Sequence, residues 1–155
     1  DADPTKLGSN ILGIELFKTT EEITLPAGSL TEGWNLFLLV AKLGTEANDY
    51  IIEQWQPIAY DIDKKTYYRP EFLNAGQSYW VFNSQDNPKP EITFKAYPID
   101  EFELPLNKWI LSGNVTDQEL SGLSESLKIN IWEAQKFLQV DKLTPGKPAW
   151  LYKEE

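Results

Sequence analysis

Two stretches of this chain share one spaced pattern, and that repetition limits what the chain can fold into more than any other feature. Leu73-Asn74-Ala75-Gly76-Gln77-Ser78-Tyr79-Trp80 and Leu143-Thr144-Pro145-Gly146-Lys147-Pro148-Ala149-Trp150 both read L-x-x-G-x-x-x-W, followed by Val81-Phe82 and Leu151-Tyr152. Towards the N-terminus, Tyr60-Asp61 pairs with Trp132-Glu133, Thr45 with Thr116, and Trp34-Asn35-Leu36 with Trp109-Ile110-Leu111. Leu25-Pro26 and Phe17-Lys18 find weaker counterparts in Leu104-Pro105 and Phe94-Lys95. The four main anchors are offset by 70 to 75 residues and keep their order, which is the mark of an internal repeat. Pairing Trp55 with Trp132 by identity shifts the spacing to the following leucine by seven residues, against two for Tyr60, so Tyr60 is the better partner. The expectation is a mainly β chain with one short helix per unit. Two pseudo-symmetric β-rich repeats, residues 1–86 and 87–155, pack together, with a seam in the polar, turn-rich stretch Asn83 to Pro88.

Each unit reads as about five short strands around the helix. In the first, Ile14-Glu15-Leu16-Phe17 and Ile23-Thr24-Leu25 are short runs of strand formers, and Pro26-Ala27-Gly28 marks a turn. Gly33 to Val40 is almost continuously apolar, which predicts a strand buried on both faces. Thr45 then caps a helix on which Ala47, Ile51 and Trp55 recur every fourth residue, and Gln56-Pro57 stops it. In the second unit Thr116-Asp117-Gln118-Glu119 has capping-box spacing, and Leu120, Leu123 and Leu127 fall on one helical face. Strands are expected again at Ile58–Tyr60 and Ile129–Trp132. Turns at Asp61–Lys65 and Glu133–Gln135 lead into Thr66–Tyr68 and Lys136–Leu138. The glycine of L-x-x-G then turns the chain into a last strand, Ser78–Phe82 or Ala149–Tyr152.

Gly33-Trp34-Asn35-Leu36, the short helix, Tyr60-Asp61 and Leu73-x-x-Gly76-x-x-Tyr79-Trp80-Val81 together resemble a repeat of bacterial exported and cell-surface proteins. Its pattern runs roughly GWNL … [WY]D … LxPGxGYWV, and the resemblance covers most of both units. The first departs from it at Ala75, where the pattern has proline. The second has Lys108-Trp109-Ile110 for Gly-Trp-Asn, and Ala149 for the aromatic before Trp150. The resemblance implies a secreted or cell-surface location and a non-catalytic role. It brings no catalytic residue, no cofactor and no common ligand.

Charge and residue types narrow the chemistry. With 24 acidic against 14 basic residues the net charge is −10, and Arg69 is the single arginine. Nucleic-acid binders need clustered Lys and Arg to displace counterions, so no nucleic acid is expected as a partner, and anionic membrane surfaces are disfavoured alike. No apolar run approaches the ~18 residues of a spanning helix, so the chain is expected not to be membrane-spanning. It opens Asp1-Ala2-Asp3-Pro4, without an initiator methionine, as a processed product or an excised piece does. Histidine and cysteine are both absent, which removes disulfides, Ser-His-Asp and Cys-His nucleophiles, and thiolate or imidazole zinc sites. No phosphate-binding glycine loop is present, so no cofactor is expected. Asp61-Ile62-Asp63 offers oxygens to Ca²⁺, but Lys64 and Lys65 follow at once, and a solvated hairpin turn is the better reading. A hydrolase needs two facing acids, and with 24 to choose from the spacing nominates none. An enzyme is not expected.

The aromatics remain. Trp34, Trp80, Trp109 and Trp150 sit at matched places, as core positions do, and burying one is worth about 4–6 kcal/mol at ~25 cal/mol per Å². Tyr67, Tyr68, Tyr97 and Tyr152 lie near turns or in alternating strands, and are the candidates for an outward, ligand-facing surface. The leading reading is a non-catalytic secreted or cell-surface interaction or structural module whose partner is a protein or glycan at the cell surface. The alternative is a carbohydrate-binding module using exposed tyrosines and carboxylates. One fused fold and two tandem lobes both fit the pattern, and the small size of each unit favours a shared interface.

Overall fold

The computed structural model describes residues 22–25, 30–97 and 102–155; the strand expected at Ile14–Phe17 and the turn at Pro26–Gly28 lie outside them. The fold is mainly β. In chain order the elements are β1 (Glu22–Leu25), β2 (Gly33–Leu38), β3 (Lys42–Leu43), α1 (Thr45–Trp55), β4 (Ala59–Asp61), β5 (Thr66–Tyr68), β6 (Ser78–Asn83) and β7 (Ile92–Tyr97). There follow β8 (Trp109–Gly113), β9 (Leu120–Ser121), α2 (Gly122–Glu125), β10 (Leu127–Glu133), β11 (Lys136–Val140), β12 (Lys142–Leu143) and β13 (Pro148–Lys153). No helix among the described residues is long and apolar enough to cross a membrane.

The C-terminal half forms an antiparallel sheet in the order β11-β10-β13-β8. In the N-terminal half β5 pairs with β4, β6 pairs with β2, and an Ile58–Trp80 bridge lays β4 beside β6. The registers correspond residue by residue. Leu36 stands opposite Trp80 and Trp34 opposite Phe82; Leu111 stands opposite Trp150 and Trp109 opposite Tyr152. Likewise Tyr60 faces Tyr67 across β4–β5, as Trp132 faces Phe137 across β10–β11.

Two apolar clusters share the interior. One gathers Phe37, Leu39, Ile51, Trp55, Tyr79 and Val81; the other Leu38, Val115, Leu120, Ile129, Leu143 and Leu151. Alternation along β2 and the residue after it sends Phe37 and Leu39 into the first and Leu38 into the second, so one strand serves both. The buried Ser78 hydroxyl donates to the Ser112 carbonyl, and the Ser112 hydroxyl donates to the Gly76 carbonyl. Beyond the seam expected at 83–88, β7 pairs with β1 and β3, and its Ile92 and Phe94 belong to the first cluster.

Helix α1 follows the sequence closely. Ile51 and Trp55 are buried, Gln56 ends the helix in left-handed conformation, and Pro57 follows. The cap position falls on Gly44, one residue before Thr45. The second helix departs from expectation and shrinks to the four residues of α2. Thr116 does not cap it, because the Thr116 hydroxyl binds the Asn114 side chain, whose amide also donates to the Gln118 and Leu143 carbonyls. That network holds 114–118 in a turn in which Asn114, Val115 and Thr116 are buried. Leu120 joins β9, Leu127 joins β10, and Leu123 is left 83% exposed.

The interior expected for the four matched indoles is also corrected. Trp80 is 8% exposed, but Trp34 and Trp109 are each 39% exposed and Trp150 is only half-buried. Trp109 is the first residue of β8 and Trp34 the second of β2, so both rings lie near a strand end. Among the described residues the fully buried rings are Trp55 and Tyr79.

Burial pushes the Tyr79 phenol above its ordinary range, against a smaller opposing effect of the Asn74 N–H that its oxygen accepts at 2.6 Å. Tyr79 therefore contributes stability that is complete below the unfolded phenol pKa of about 10 and lost as pH rises beyond it. The urea midpoint is expected to fall above about pH 10, with a shallower fall in Tyr79→Phe. An alkaline limb identical in the two proteins would contradict this.

Candidate functional site

A groove of about 370 Å³ opens where the two halves meet, lined by Trp34, Ile58, Tyr67, Trp80, Trp132 and Phe137. That volume is within the range of small-ligand sites. Each wall follows from strand alternation. Along β10, Leu127, Ile129 and Ile131 turn inward, so Trp132 falls on the other face, and the hairpin sets Phe137 beside it. Tyr67 is placed the same way, opposite Tyr60. The rings meet edge to face: Trp34 and Trp80 at 6.4 Å and 85°, Trp80 and Trp132 at 5.0 Å and 89°, Trp132 and Phe137 at 4.8 Å and 66°. Such edge contacts fix ring orientation while leaving faces uncovered.

The groove is braced by hydrogen bonds that span most of the chain. The Trp132 indole N–H and the Gln135 amide both donate to the Trp34 carbonyl at 2.9 Å, and Gln135 Oε1 accepts from the Trp34 N–H at 3.2 Å. Gly33 makes this clamp possible. Its φ is +99°, and an added Cβ would lie 2.8 Å from Gln135 Oε1. Asn35 closes the preceding turn, accepting from the Thr31 N–H at 3.0 Å and donating to the Thr31 carbonyl at 2.9 Å. The glycine and asparagine of GWNL thus position the tryptophan between them.

Two of the six tryptophans have structural hydrogen bonds, Trp55 to the Pro90 carbonyl at 2.7 Å and Trp132 to Trp34. The indole N–H groups of Trp34 and Trp80 donate to no acceptor among the described residues. Among the described residues no charged side chain lines the groove.

The four tyrosines singled out from the sequence do not converge. Tyr67 lines the groove. Tyr68, its neighbour on β5, faces a shallow cleft beside Asn74 to Gln77. Tyr97 borders a cavity by the first turn of α1 with Thr45 and Tyr50. Tyr152 packs on Trp109 at 5.4 Å in a separate cleft, with Lys128 Nζ 5.2 Å from its ring centre. Asp61 spends its carboxylate on its own turn, accepting the Lys64 and Asp63 N–H groups at 2.9 Å. Those bonds, the Lys64 one foremost, hold its pKa below the usual carboxylate range. Among the described residues no group of three acids is placed to hold a metal. Sequence reasoning missed Trp132, Phe137 and Gln135 as site residues, although period-two alternation along 127–132 already sets Trp132 apart from the inward residues. Comparison with protein-family models, with curated proteins and with solved structures finds no match for this chain.

Proposed function

We propose that this chain is a non-catalytic binding module of a secreted or cell-surface protein, and that its aromatic groove takes a neutral carbohydrate. The observation that carries this reading is the groove itself, with tryptophan, tyrosine and phenylalanine rings around an open cavity that no charged side chain lines among the described residues. A pyranose presents C–H groups, slightly positive, that are drawn to the negative face of an aromatic ring. The indole N–H groups of Trp34 and Trp80 and the Tyr67 hydroxyl supply hydrogen bonds for sugar oxygens. A net charge of −10 works against acidic glycans at long range and leaves neutral ones unaffected.

The location and the non-catalytic role rest on the bacterial repeat that the sequence resembles, and on a chain without histidine or cysteine. The two halves are read as copies of one β-rich unit, divided near residue 86. Two features support this: the matched registers of β2–β6 and β8–β13, and a reciprocal exchange of rings. Tyr60 of the first copy packs on Trp150 at 4.8 Å, and Trp132 of the second packs on Trp80 at 5.0 Å.

A neutral-glycan array followed by calorimetric titration tests the function. Trp34→Ala and Tyr67→Ala should each weaken binding about 10-fold, or ~1.4 kcal/mol, with Tm falling by no more than about 4 °C. Tyr68→Ala, on the opposite face of β5, should change nothing. An array without neutral glycans, or equal losses for Tyr67 and Tyr68, would remove the carbohydrate reading and leave a module that docks proteins.

A further inference from the structure

A second cleft, of about 330 Å³, lies between the 61–65 turn and the start of β8. Its aromatic walls are Tyr60, Trp109 and Tyr152, and its rim carries Asp63, Lys65 and Lys108. We infer that this cleft is a second sugar site, which recognises adjacent equatorial hydroxyls of a neutral, glucose-configured glycan through the Asp63–Lys108 pair. The inference rests on the glycan reading of the groove and extends it to substrate class.

The chemistry of the rim differs from that of the groove. Lys108 Nζ lies 3.2 Å from Asp63 Oδ1, and both side chains are largely open to solvent. A carboxylate and an ammonium at that separation form an acceptor and a donor side by side. Neighbouring equatorial hydroxyls of a pyranose are spaced to engage both, one donating to Asp63 and the next accepting from Lys108. A glucose-configured ring keeps these hydroxyls at its edge and its axial hydrogens on its faces, so the same ring can stack on Trp109, whose indole is 39% exposed. An axial hydroxyl at C2 removes one member of the equatorial O2/O3 pair and projects from the ring face that would stack.

The rim also keeps backbone strain. Lys65 and Asn107, both lining the cleft, have φ of 54° and 58°. Glycine takes that conformation without cost and asparagine tolerates it, so the strain of the rim lies mainly at Lys65.

The two sites adjoin. Tyr60 lines the cleft, Tyr67 lines the groove, and their rings are in contact at 5.2 Å across β4–β5. A single oligosaccharide can therefore run from stacking contacts in the groove to hydrogen bonds in the cleft, with the second site adding to the first as an intramolecular event.

Calorimetric titration of the full chain with a β-1,4-linked glucose hexamer tests this. Asp63→Ala and Lys108→Ala should each weaken binding about 10-fold, in the parent and in a Trp34→Ala background. A β-1,4-linked mannose hexamer, whose O2 is axial, should bind about 10-fold more weakly than the glucose hexamer, and Asp63→Ala should erase that preference. Lys65→Gly should raise Tm by roughly 1–3 °C while weakening binding, which separates use of the side chain from its structural cost. If the glucose hexamer binds through Trp34 and neither Asp63→Ala nor Lys108→Ala matters, the cleft is no sugar site and the groove reading stands. If neither hexamer binds but the array finds another neutral glycan lost with Trp34→Ala, the glucose assignment falls alone. If no neutral glycan binds at all, both readings fall.

Discussion

Trp55→Ala is expected to remove about 3–5 kcal/mol of unfolding free energy, against the roughly 5–15 kcal/mol that a native domain usually has. Trp55 ends α1 with no exposed surface, packs edge to face on Phe37 at 5.4 Å, and donates its indole N–H to the Pro90 carbonyl at 2.7 Å. Alanine leaves a cavity among Phe37, Ile51 and Ile92 and deprives Pro90 of its donor, so the lost packing and the lost hydrogen bond add. Trp55→Phe restores most of the ring and should cost about 1–3 kcal/mol, much of it for the hydrogen bond. Trp109→Ala should cost under about 1 kcal/mol, since surface substitutions rarely cost more. Urea melts of the three variants check this ordering, and a Trp55→Ala protein as stable as the parent would refute the placement of the first cluster.

Gly76→Ala is expected to cost about 2–4 kcal/mol, and Gly146→Ala only about 1 kcal/mol, although the two glycines occupy the same place in L-x-x-G. Both need left-handed backbone, at φ +89° and +79°, which any side chain strains. The difference lies in the surroundings. A Cβ on Gly76 would stand 2.2 Å from the ring of Phe102, whereas one on Gly146 meets nothing within 4 Å. Phe102 is itself buried in the second cluster, so it cannot swing away without exposing apolar surface. Guanidinium melts of both variants decide the matter. The double variant Gly76→Ala/Phe102→Ala should be more stable than the sum of the two single losses predicts, because the clash disappears with the ring. Equal costs for the two glycines would overturn the account.

Much of the fold was legible, and the losses have local causes. The hairpins at 59–68 and 127–140 were readable from short apolar runs around polar turns, and α1 from its four-residue spacing and the proline that follows it. The second helix was not, because a capping box describes what Thr116 can do for a helix and says nothing of an Asn114 side chain that claims its hydroxyl first. The groove was half legible. Tyr67 reads as outward from its place beside a turn, but Trp34 and Trp80 read as interior, since equivalence between repeats says that two positions are alike and not how deep they lie. Tyr68 illustrates the finer limit. Adjacent residues of a strand point apart, and a one-residue register error exchanges a residue that lines the groove for one that faces away from it.

The clamp on Trp34 sets a timetable for the nascent chain. Its partners, Trp132 and Gln135, lie 98 and 101 residues downstream. At about 5–20 residues per second of synthesis, Trp34 waits roughly 5–20 s before they are even made. Contacts that distant in sequence also close slowly. Until they form, the N-terminal strands display their tryptophans to whatever meets them, and no shortened product of the ribosome contains a finished groove.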